Sequence, residues 1–226
     1  ETKTQDVSFP MNEIAEAGWP YQAIRGEKSY NGVAILSRFP IEKTSYKDWV
    51  GKGDCRHIVG QIKGINIHNI YLPAGGDIPD RDENIKFGHK LDFVSEVTEY
   101  FEQNKPAKSV LVGDLNIAPL AEDVWSTKQL RNVVSHTKIE RENLIAMQKR
   151  GGWVDAVRDY FGADEQLYSW WSYRARDYIS SNRGRRLDHV WTSTDLASQI
   201  QKVEIHSNTR GWKQPSDHVP ISLQLG

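Results

Sequence analysis

The segment with the clearest capacity for chemistry is Ser109-Val-Leu-Val-Gly-Asp-Leu-Asn116. Its apolar β-forming residues, stopped by a glycine, predict a strand that is buried on both faces. Asp114 and Asn116 stand at the strand end, and because residues two apart in a strand point to one side, both can face one site. A carboxylate that orients or deprotonates water, beside an amide that holds an oxygen, suits chemistry on a phosphate. The alternative is an Asp-x-Asn turn that only satisfies its own backbone.

Other predicted strands also end in polar groups. These groups are Tyr71, Asp188 with His189, and Asp217 with His218. Each could be a turn or a satisfied core polar group, but the ends of neighbouring strands converge in space. Carboxylates without cysteine suit a hard divalent ion such as Mg²⁺, and a histidine paired with a separate aspartate is held in one orientation. Together these groups suggest metal-assisted hydrolysis of a phosphoester.

The elements that must position these groups follow from hydrophobic periodicity. Phe87, Leu91, Val94, Val97 and Phe101 recur at spacings of three and four, which predicts a helix over 82–103 with one core-facing side. Further helices are predicted over 9–17, 140–150 and 153–161, and strands over 31–37, 57–63, 65–72, 109–112, 168–173, 187–193, 201–206 and 219–225. Strands mostly in hairpins and flanked by helices predict an α+β sandwich of two packed sheets.

Composition limits the class of protein. At 226 residues the chain is expected to form one domain, residues 1–226, with a substantial core. Its apolar runs fall well short of the roughly 20 residues that span a bilayer, so no membrane partner is expected. A single cysteine, Cys55, excludes internal disulfides and fits the cytoplasm or another reducing compartment. The net charge of −1 argues against non-specific coating of nucleic acid, although residues 174–186 carry five arginines and one acid.

Several motifs together resemble a known family. They are Gly32-Val-Ala-Ile-Leu-Ser37, Tyr71-Leu-Pro-Ala-Gly-Gly76, Gly113-Asp-Leu-Asn116, Trp170-Trp-Ser-Tyr-Arg174, Asn182-Arg-Gly-Arg-Arg-Leu-Asp188 and Ser216-Asp-His218. In this order they are similar to the exonuclease III/AP endonuclease branch of the endonuclease–exonuclease–phosphatase superfamily. The resemblance implies a four-layer αββα sandwich of two mixed β-sheets flanked by helices. It also implies a Mg²⁺-dependent DNA repair nuclease, with Mn²⁺ as a substitute, that incises 5′ to abasic sites and trims 3′ ends of duplex DNA as a monomer.

The first residues match only the end of a family motif. Family members carry Leu-Gln-Glu-Thr-Lys on their second strand, and Glu1-Thr-Lys3 corresponds to its last part. The resemblance therefore implies that the family's first strand, first helix and most of its second strand, with an active-site asparagine, precede the sequence given. Incompleteness is the expected explanation, because losing a central strand would expose two sheet edges.

The resemblance assigns roles by position. Glu1 and Asp217 would bind the metal, Asp114 would activate water, and Asn116 would hold that water or a phosphate oxygen. Tyr71 would contact the scissile phosphate, and Asp188 would pair with His218, whose imidazole binds the phosphate as charge develops. Trp170, Leu187 and position 185 resemble the pocket for a flipped-out abasic sugar. The remaining arginines are expected to contact the DNA backbone: Arg174, Arg176, Arg183 and Arg186.

Two departures from the family pattern affect the expected balance of activities. Ala74 stands where the family often has Asn, and Arg185 stands where relatives commonly have Trp, which makes the pocket less apolar. The order of abasic-site incision, 3′-exonuclease and 3′-phosphatase work therefore stays open. Two other functions remain as alternatives: a superfamily phosphatase acting on a small molecule or lipid head group, and a non-catalytic DNA-binding module if the chain begins at Glu1.

Overall fold

The computed structural model describes residues 1–174 and 177–226. Seven α-helices lie in these ranges: α1 (Met11–Glu16), α2 (Ile85–Gln103), α3 (Thr127–Leu130), α4 (Lys138–Gly151), α5 (Ala156–Phe161), α6 (Tyr178–Ser181) and α7 (Thr194–Ala197). The described strands are β1 (Tyr21–Arg25), β2 (Val33–Ser37), β3 (Lys43–Ser45), β4 (His57–Ile62), β5 (Ile65–Ile70), β6 (Ser109–Asp114), β7 (Trp153–Asp155), β8 (Trp170–Trp171), β9 (Gly184–Arg185), β10 (Asp188–Ser193), β11 (Ile200–Ile205) and β12 (Ile221–Leu225). Short 3₁₀ turns occupy Asp6–Ser8, Trp49–Gly51, Ala121–Asp123 and Ser207–Gly211. None of these described helices is long and apolar enough to cross a membrane.

A six-stranded mixed sheet forms the centre of the fold, in the order β3-β4-β5-β6-β10-β7. β4 and β5 form the predicted hairpin, whose turn at Lys63 and Gly64 has φ of 50° and 76°. Two consecutive positive φ values are typical of the tight turn that matches the twist of a hairpin. β5 and β6 pair in parallel, and the other neighbouring pairs of this sheet are antiparallel. A parallel pair needs a crossover, which α2 supplies.

The two faces of this sheet are covered differently. Leu111 of β6 belongs to a core with residues of α2 and α4, whereas its neighbour Val110 belongs to a core with residues of β11, β12 and α5. β6 is therefore buried on both faces, as its apolar run predicts. The two-stranded sheet of β1 and β2 packs through Val33 and Ile35 against Ile58 of β4. Helices α2 and α4 on one face, and strands β11 and β12 with helix α5 on the other, confirm the predicted α+β class.

Two segments differ from their sequence-based prediction. Residues 153–161, predicted as one helix, begin with strand β7, and α5 starts only at Ala156. The side chain of Asp155 causes this break, because it caps the new helix by accepting from the N–H groups of Val157 at 3.1 Å and Arg158 at 3.2 Å. The aromatic run 168–173, predicted as one strand, forms only the two-residue strand β8 at Trp170 and Trp171.

Candidate active site

Strand register brings the two central aspartates together. β6 and β10 pair antiparallel with Asp114 directly opposite Asp188, and residues in register are near neighbours across a sheet. β5 ends beside them, because the N–H of Leu72 donates to the carbonyl of Asp114 at 2.9 Å. Gly113 permits this approach: its φ is 143°, and a Cβ there would lie 1.9 Å from the carbonyl oxygen of Ile70.

Asp188 and His218 form a hydrogen-bonded pair. The Nδ1 of His218 lies 2.7 Å from Oδ2 of Asp188, and the hydroxyl of Ser169 donates to the same oxygen at 2.7 Å. The other ring nitrogen, Nε2, lies 3.8 Å from Oδ2 of Asp114. The segment after Pro215 is held in place by pairing, since Val219 N–H donates to the carbonyl of Ser169 at 2.8 Å. The imidazole is thus fixed between two carboxylates, and its hydrogen bond to Asp188 is the pairing that the family resemblance implies.

This arrangement raises the pKa values of both Asp114 and His218. Burial raises the pKa of Asp114, and the neighbouring carboxylate of Asp188 raises it further, to about 7. Burial by itself lowers the pKa of His218, but the hydrogen bond to Asp188 and the surrounding carboxylates outweigh it and raise the pKa to about 9. At neutral pH the imidazole therefore carries a positive charge, while Asp114 is poised to exchange a proton.

Asn116 and Tyr71 complete the rim of this cavity. The Nδ2 of Asn116 donates to the carbonyl of Leu72 at 2.9 Å and to Oδ2 of Asp114 at 3.0 Å, so both amide hydrogens are used. Its backbone N–H donates to Oδ1 of Asp114 at 2.9 Å. Burial raises the pKa of the Tyr71 phenol, and the carboxylates of Glu1 and Asp114 raise it further. The phenol therefore keeps its proton and remains a hydrogen-bond donor at neutral pH.

The cavity also contains the two predicted metal ligands. Its volume is about 540 Å³, and Glu1 and Asp217 line it together with the residues described above. Oδ2 of Asp217 accepts from the indole N–H of Trp170 at 3.0 Å, and the carboxylate of Glu1 accepts from Asn31 N–H at 3.0 Å and pairs with Lys3 at 3.1 Å. Both side chains are therefore oriented, and their assignment as ligands stays a prediction.

The donor set fits a divalent ion. Asp114, Asp188 and His218 present ligand atoms within 4.8 Å of one another, and Glu1 and Asp217 add further oxygens to the same cavity. Carboxylate oxygens are the ligands that Mg²⁺ and Mn²⁺ prefer. The carboxylates outnumber His218 and Lys3, the basic residues that line this cavity, so a cation would also relieve their mutual repulsion.

A second cavity of about 610 Å³ adjoins the first and shares Asn116 and His218 with it. Most of the residues predicted to meet DNA line it: Trp170, Arg174, Arg183, Arg185 and Leu187. The guanidinium of Arg185 lies 5.3 Å from the ring centre of Trp170 and donates to the hydroxyl of Ser135 at 2.7 Å. Arg183 lies over the ring of Trp125 at 4.8 Å. Aromatic rings and guanidinium planes of this kind suit nucleic acid.

The prediction that Arg186 contacts DNA is wrong. Its side chain is completely buried, donates to Asp123 through Nε at 2.6 Å and Nη2 at 3.1 Å, and donates to Asp155 through Nη1 at 2.8 Å. These carboxylates raise its pKa, and the pKa of Asp123 is lowered to about 2, because the two arginines beside Asp123 outweigh the effect of its burial. Arg186 is therefore a structural ion-pair residue. Arg176, also predicted to contact DNA, lies outside the described residues.

Sequence reasoning missed three residues that shape these cavities. The hydroxyl of Ser169 donates to Asp188, the ring of Trp125 packs against the guanidinium of Arg183, and Lys90 donates to the carbonyl of Asn116 at 2.8 Å. A signal existed for Lys90: it stands three residues after Phe87 and four before Val94, within the apolar stripe of α2. A lysine on a core-facing side demands a partner, because a buried charge without one is costly. Ser169 and Trp125 offered no comparable signal.

Comparison with known proteins identifies the family. The model of the endonuclease/exonuclease/phosphatase family matches residues 1–218, and the chain belongs to this family. The match extends from Glu1 to His218, so every predicted site residue lies within it. The fold described above is therefore that of a member of this family.

Among the proteins that the chain resembles are exodeoxyribonucleases and AP endonucleases. An exodeoxyribonuclease of Bacillus subtilis is 29% identical over 99% of this chain and 84% of its own length, and exodeoxyribonuclease III of Haemophilus influenzae is 27% identical over 98% and 86%. The solved structure of an AP endonuclease from Archaeoglobus fulgidus superposes with a TM-score of 0.90 at 28% identity, over 100% of this chain and 86% of that one. A 3′ phosphatase from Neisseria bound to a product DNA hairpin gives 0.88 at 26% identity, over 99% and 86%. These relatives confirm the expected similarity to exonuclease III and the AP endonucleases.

Proposed function

We propose that this protein is a Mg²⁺-dependent DNA repair nuclease. It hydrolyses the phosphodiester bond 5′ to abasic sites and acts on 3′ ends of duplex DNA as a 3′–5′ exonuclease and 3′-phosphatase. One observation carries the proposal: His218, with a pKa of about 9, is held by Asp188 beside Asp114, with a pKa of about 7, in a cavity that opens onto arginines and tryptophans. The similarity to an exodeoxyribonuclease III, an AP endonuclease and a 3′ phosphatase supports the same substrate class.

One bond unites the three activities. In each, water attacks phosphorus and the bond from phosphorus to a 3′ oxygen breaks, so a single arrangement of groups serves all of them. Asp114 takes the proton of the attacking water, because a base with a pKa near the working pH is the most effective. The protonated imidazole of His218 stabilises the charge that develops on the phosphoryl oxygens. The leaving 3′ oxygen then takes up a proton to become a hydroxyl group.

The neighbouring side chains bind and orient the reacting groups. Tyr71 keeps its phenolic proton and would donate a hydrogen bond to a phosphate oxygen. Asn116 has used both amide hydrogens on protein acceptors, so its Oδ1 remains to accept from a donor. An acceptor suits the attacking water better than a phosphate oxygen, which supports the water-holding role for Asn116.

Glu1 and Asp217 would hold the metal ion, with Asp114 and Asp188 in the same cavity. The ion would supply a Lewis acid that polarises the phosphate and neutralises its charge. Arg174 and Arg183 would contact the DNA backbone around the site, which positions the duplex without reading its sequence.

The lining of the second cavity bears on the order of activities. A base-free sugar is best received by an apolar pocket. Here the guanidinium of Arg185 lies over the Trp170 ring, and Ala74 offers no polar side chain to the cavity. This lining makes 3′-end processing, rather than incision at abasic sites, a second candidate for the main activity. A phosphatase for small molecules would need no such arginine–tryptophan surface, and a pure DNA-binding module would not need the Asp188–His218 pair.

The experiment that tests the proposal is single-turnover cleavage with Mg²⁺ on two duplexes, one with an internal abasic analogue and one undamaged with a recessed 3′ end. Rapid incision of the first identifies an abasic endonuclease, and rapid trimming of the second alone identifies a 3′-end processing enzyme. The His218→Ala variant should lose cleavage yet retain DNA binding, because the imidazole acts on the transition state. His206→Ala, at a partly exposed histidine bonded to Ser222, is the matched control. Failure of the wild-type protein to cleave either duplex would refute the proposal.

A further inference from the structure

Lys90 on α2 carries a buried ammonium group that no step of the proposed reaction uses. Its Nζ donates to the carbonyl of Asn116 at 2.8 Å, to the carbonyl of Ala74 at 3.2 Å and to Oε1 of Glu140 at 2.5 Å. The side chains of Lys90 and Glu140 are both completely buried. We propose that Lys90 is a positioning residue for hydrolysis, which fixes Asn116 and through it the carboxylate of Asp114. This inference rests on the proposed function, since its effect is measured on that reaction.

Asn116 needs such support because of its backbone conformation. Its φ is 52°, in the left-handed region, which asparagine tolerates better than most residues with a side chain but which still makes its backbone depend on the contacts around it. The bond from Lys90 fixes the carbonyl of this residue. The backbone N–H and side-chain amide of Asn116 then each donate to a different oxygen of Asp114. Both oxygens of the proposed base are thus oriented by one residue whose backbone Lys90 holds.

The loop after Tyr71 rests on the same lysine. Lys90 bonds to Ala74, and the next residue, Gly75, packs so closely that a Cβ there would lie 2.8 Å from Cδ of Lys90. The φ of Gly75 is 91°, so both space and conformation require glycine at this point. Lys90 therefore joins the loop that follows β5 to the loop that follows β6, and these two loops carry Tyr71 and Asn116.

Glu140 extends the connection to the second cavity. Besides Lys90, its carboxylate accepts from the N–H of Ser135 at 2.9 Å and from the hydroxyl of Thr137 at 2.6 Å. The hydroxyl of Ser135 in turn accepts from Arg185. Replacing a buried ion pair by apolar residues is often neutral or stabilising, so stability alone is a weak reason for this pair. Its bonds to three site-forming loops supply a functional reason.

A double-mutant cycle tests the proposal. Lys90→Met should lower the single-turnover rate of cleavage about 100-fold, the effect expected when a reacting group is displaced by about 1 Å, with DNA affinity unchanged. In an Asn116→Ala background the same substitution should change the rate much less, because the side chain through which Lys90 orients Asp114 is gone and only the contact with the Ala74 loop remains. The loss of thermal stability should be equal in both backgrounds. Thr98→Val is the matched control, since Thr98 is buried on the same helix and its hydroxyl donates to the carbonyl of Val94 within that helix.

The outcomes separate this inference from the proposed function. Wild-type cleavage of DNA with rate losses that multiply across the cycle would overturn the positioning role alone, whereas absence of wild-type cleavage would remove the proposed function itself. Lys90→Met leaves Glu140 buried without its cation, so the cycle is repeated with Lys90→Met/Glu140→Gln, which removes both charges. Loss of folding in both variants would also overturn the inference, because Lys90 would then be a requirement of the fold.

Discussion

Substituting Arg186 by Met separates the two roles that the sequence and the structure assign to this residue. The guanidinium makes hydrogen bonds of 2.6 and 3.1 Å to Asp123 and of 2.8 Å to Asp155 within the fully enclosed network described above. Met fills similar space but leaves both carboxylates without this partner. We expect a large loss of stability and no loss of DNA affinity in the folded protein.

The magnitude follows from the contacts that remain. Breaking a buried ion pair costs about 3–5 kcal/mol because it leaves a buried charge uncompensated. Asp123 keeps Arg158 and the N–H of Leu120 at 2.9 Å, and Asp155 keeps its two bonds to the start of α5. The lower end of the range, about 3 kcal/mol, is therefore expected. For a domain of this size each kcal/mol lowers the melting temperature by roughly 2–4 °C, so the expected fall is about 6–12 °C.

The matched control is Arg183→Met, because Arg183 is exposed in the same segment and lies over Trp125 at 4.8 Å. It should change stability by no more than about 1 kcal/mol, yet weaken DNA binding at all sequences and reduce the salt dependence by about one phosphate contact. Melting by circular dichroism and DNA affinity between low and moderate salt measure both quantities. If the Arg186→Met variant melts like the wild type and its DNA affinity depends less on salt, Arg186 is a DNA contact and the structural reasoning fails.

Three further outcomes are expected. Asp188→Asn should lower the pKa of His218 from about 9, because it removes the partner that favours the charged ring; an unmoved imidazole titration by NMR in EDTA would contradict this. EDTA should stop cleavage and Mg²⁺ restore it, and cleavage that resists EDTA would exclude the metal mechanism. Stability should fall as the pH falls from about 6.5 toward 4, since four largely buried histidines must stay neutral in the folded state, and denaturant unfolding at several pH values measures it. Their pKa values are lowered to about 3, 4 and 4 in His57, His68 and His189, and burial also lowers the pKa of His136. Asp114 acts oppositely in this range, because its raised pKa means that the folded state binds a proton first, so it offsets about one proton of the slope that the histidines produce.

The sequence predicts those features that depend on local pattern. The periodic stripe of α2 and the apolar run of β6 are confirmed, because burial on one face or on two leaves a direct mark on residue order. The convergence of Asp114, Asp188 and His218 also follows from the place of each at a strand end. Short edge strands such as β1 and β3 escape prediction, because three to five residues with few apolar positions leave little periodic signal. The break at Asp155 escapes it because a cap can end one element and begin another within one apolar run.

The error at Arg186 comes from treating five arginines as one charged surface. Strand β9 at Gly184 and Arg185 lies between Arg183 and Arg186, and residues two apart in an extended chain point to the same side. Arg183, Arg185 and Leu187 accordingly line the second cavity, whereas Arg186 points to the interior and meets Asp123. In this run, the alternation of side chains is enough to separate Arg186 from its neighbours. Once Arg186 points to the interior, it needs a buried acidic partner, because an unpaired guanidinium in a core is costly. The net charge of a segment therefore indicates which ligand it suits, but only the side-chain alternation indicates which charges can reach it.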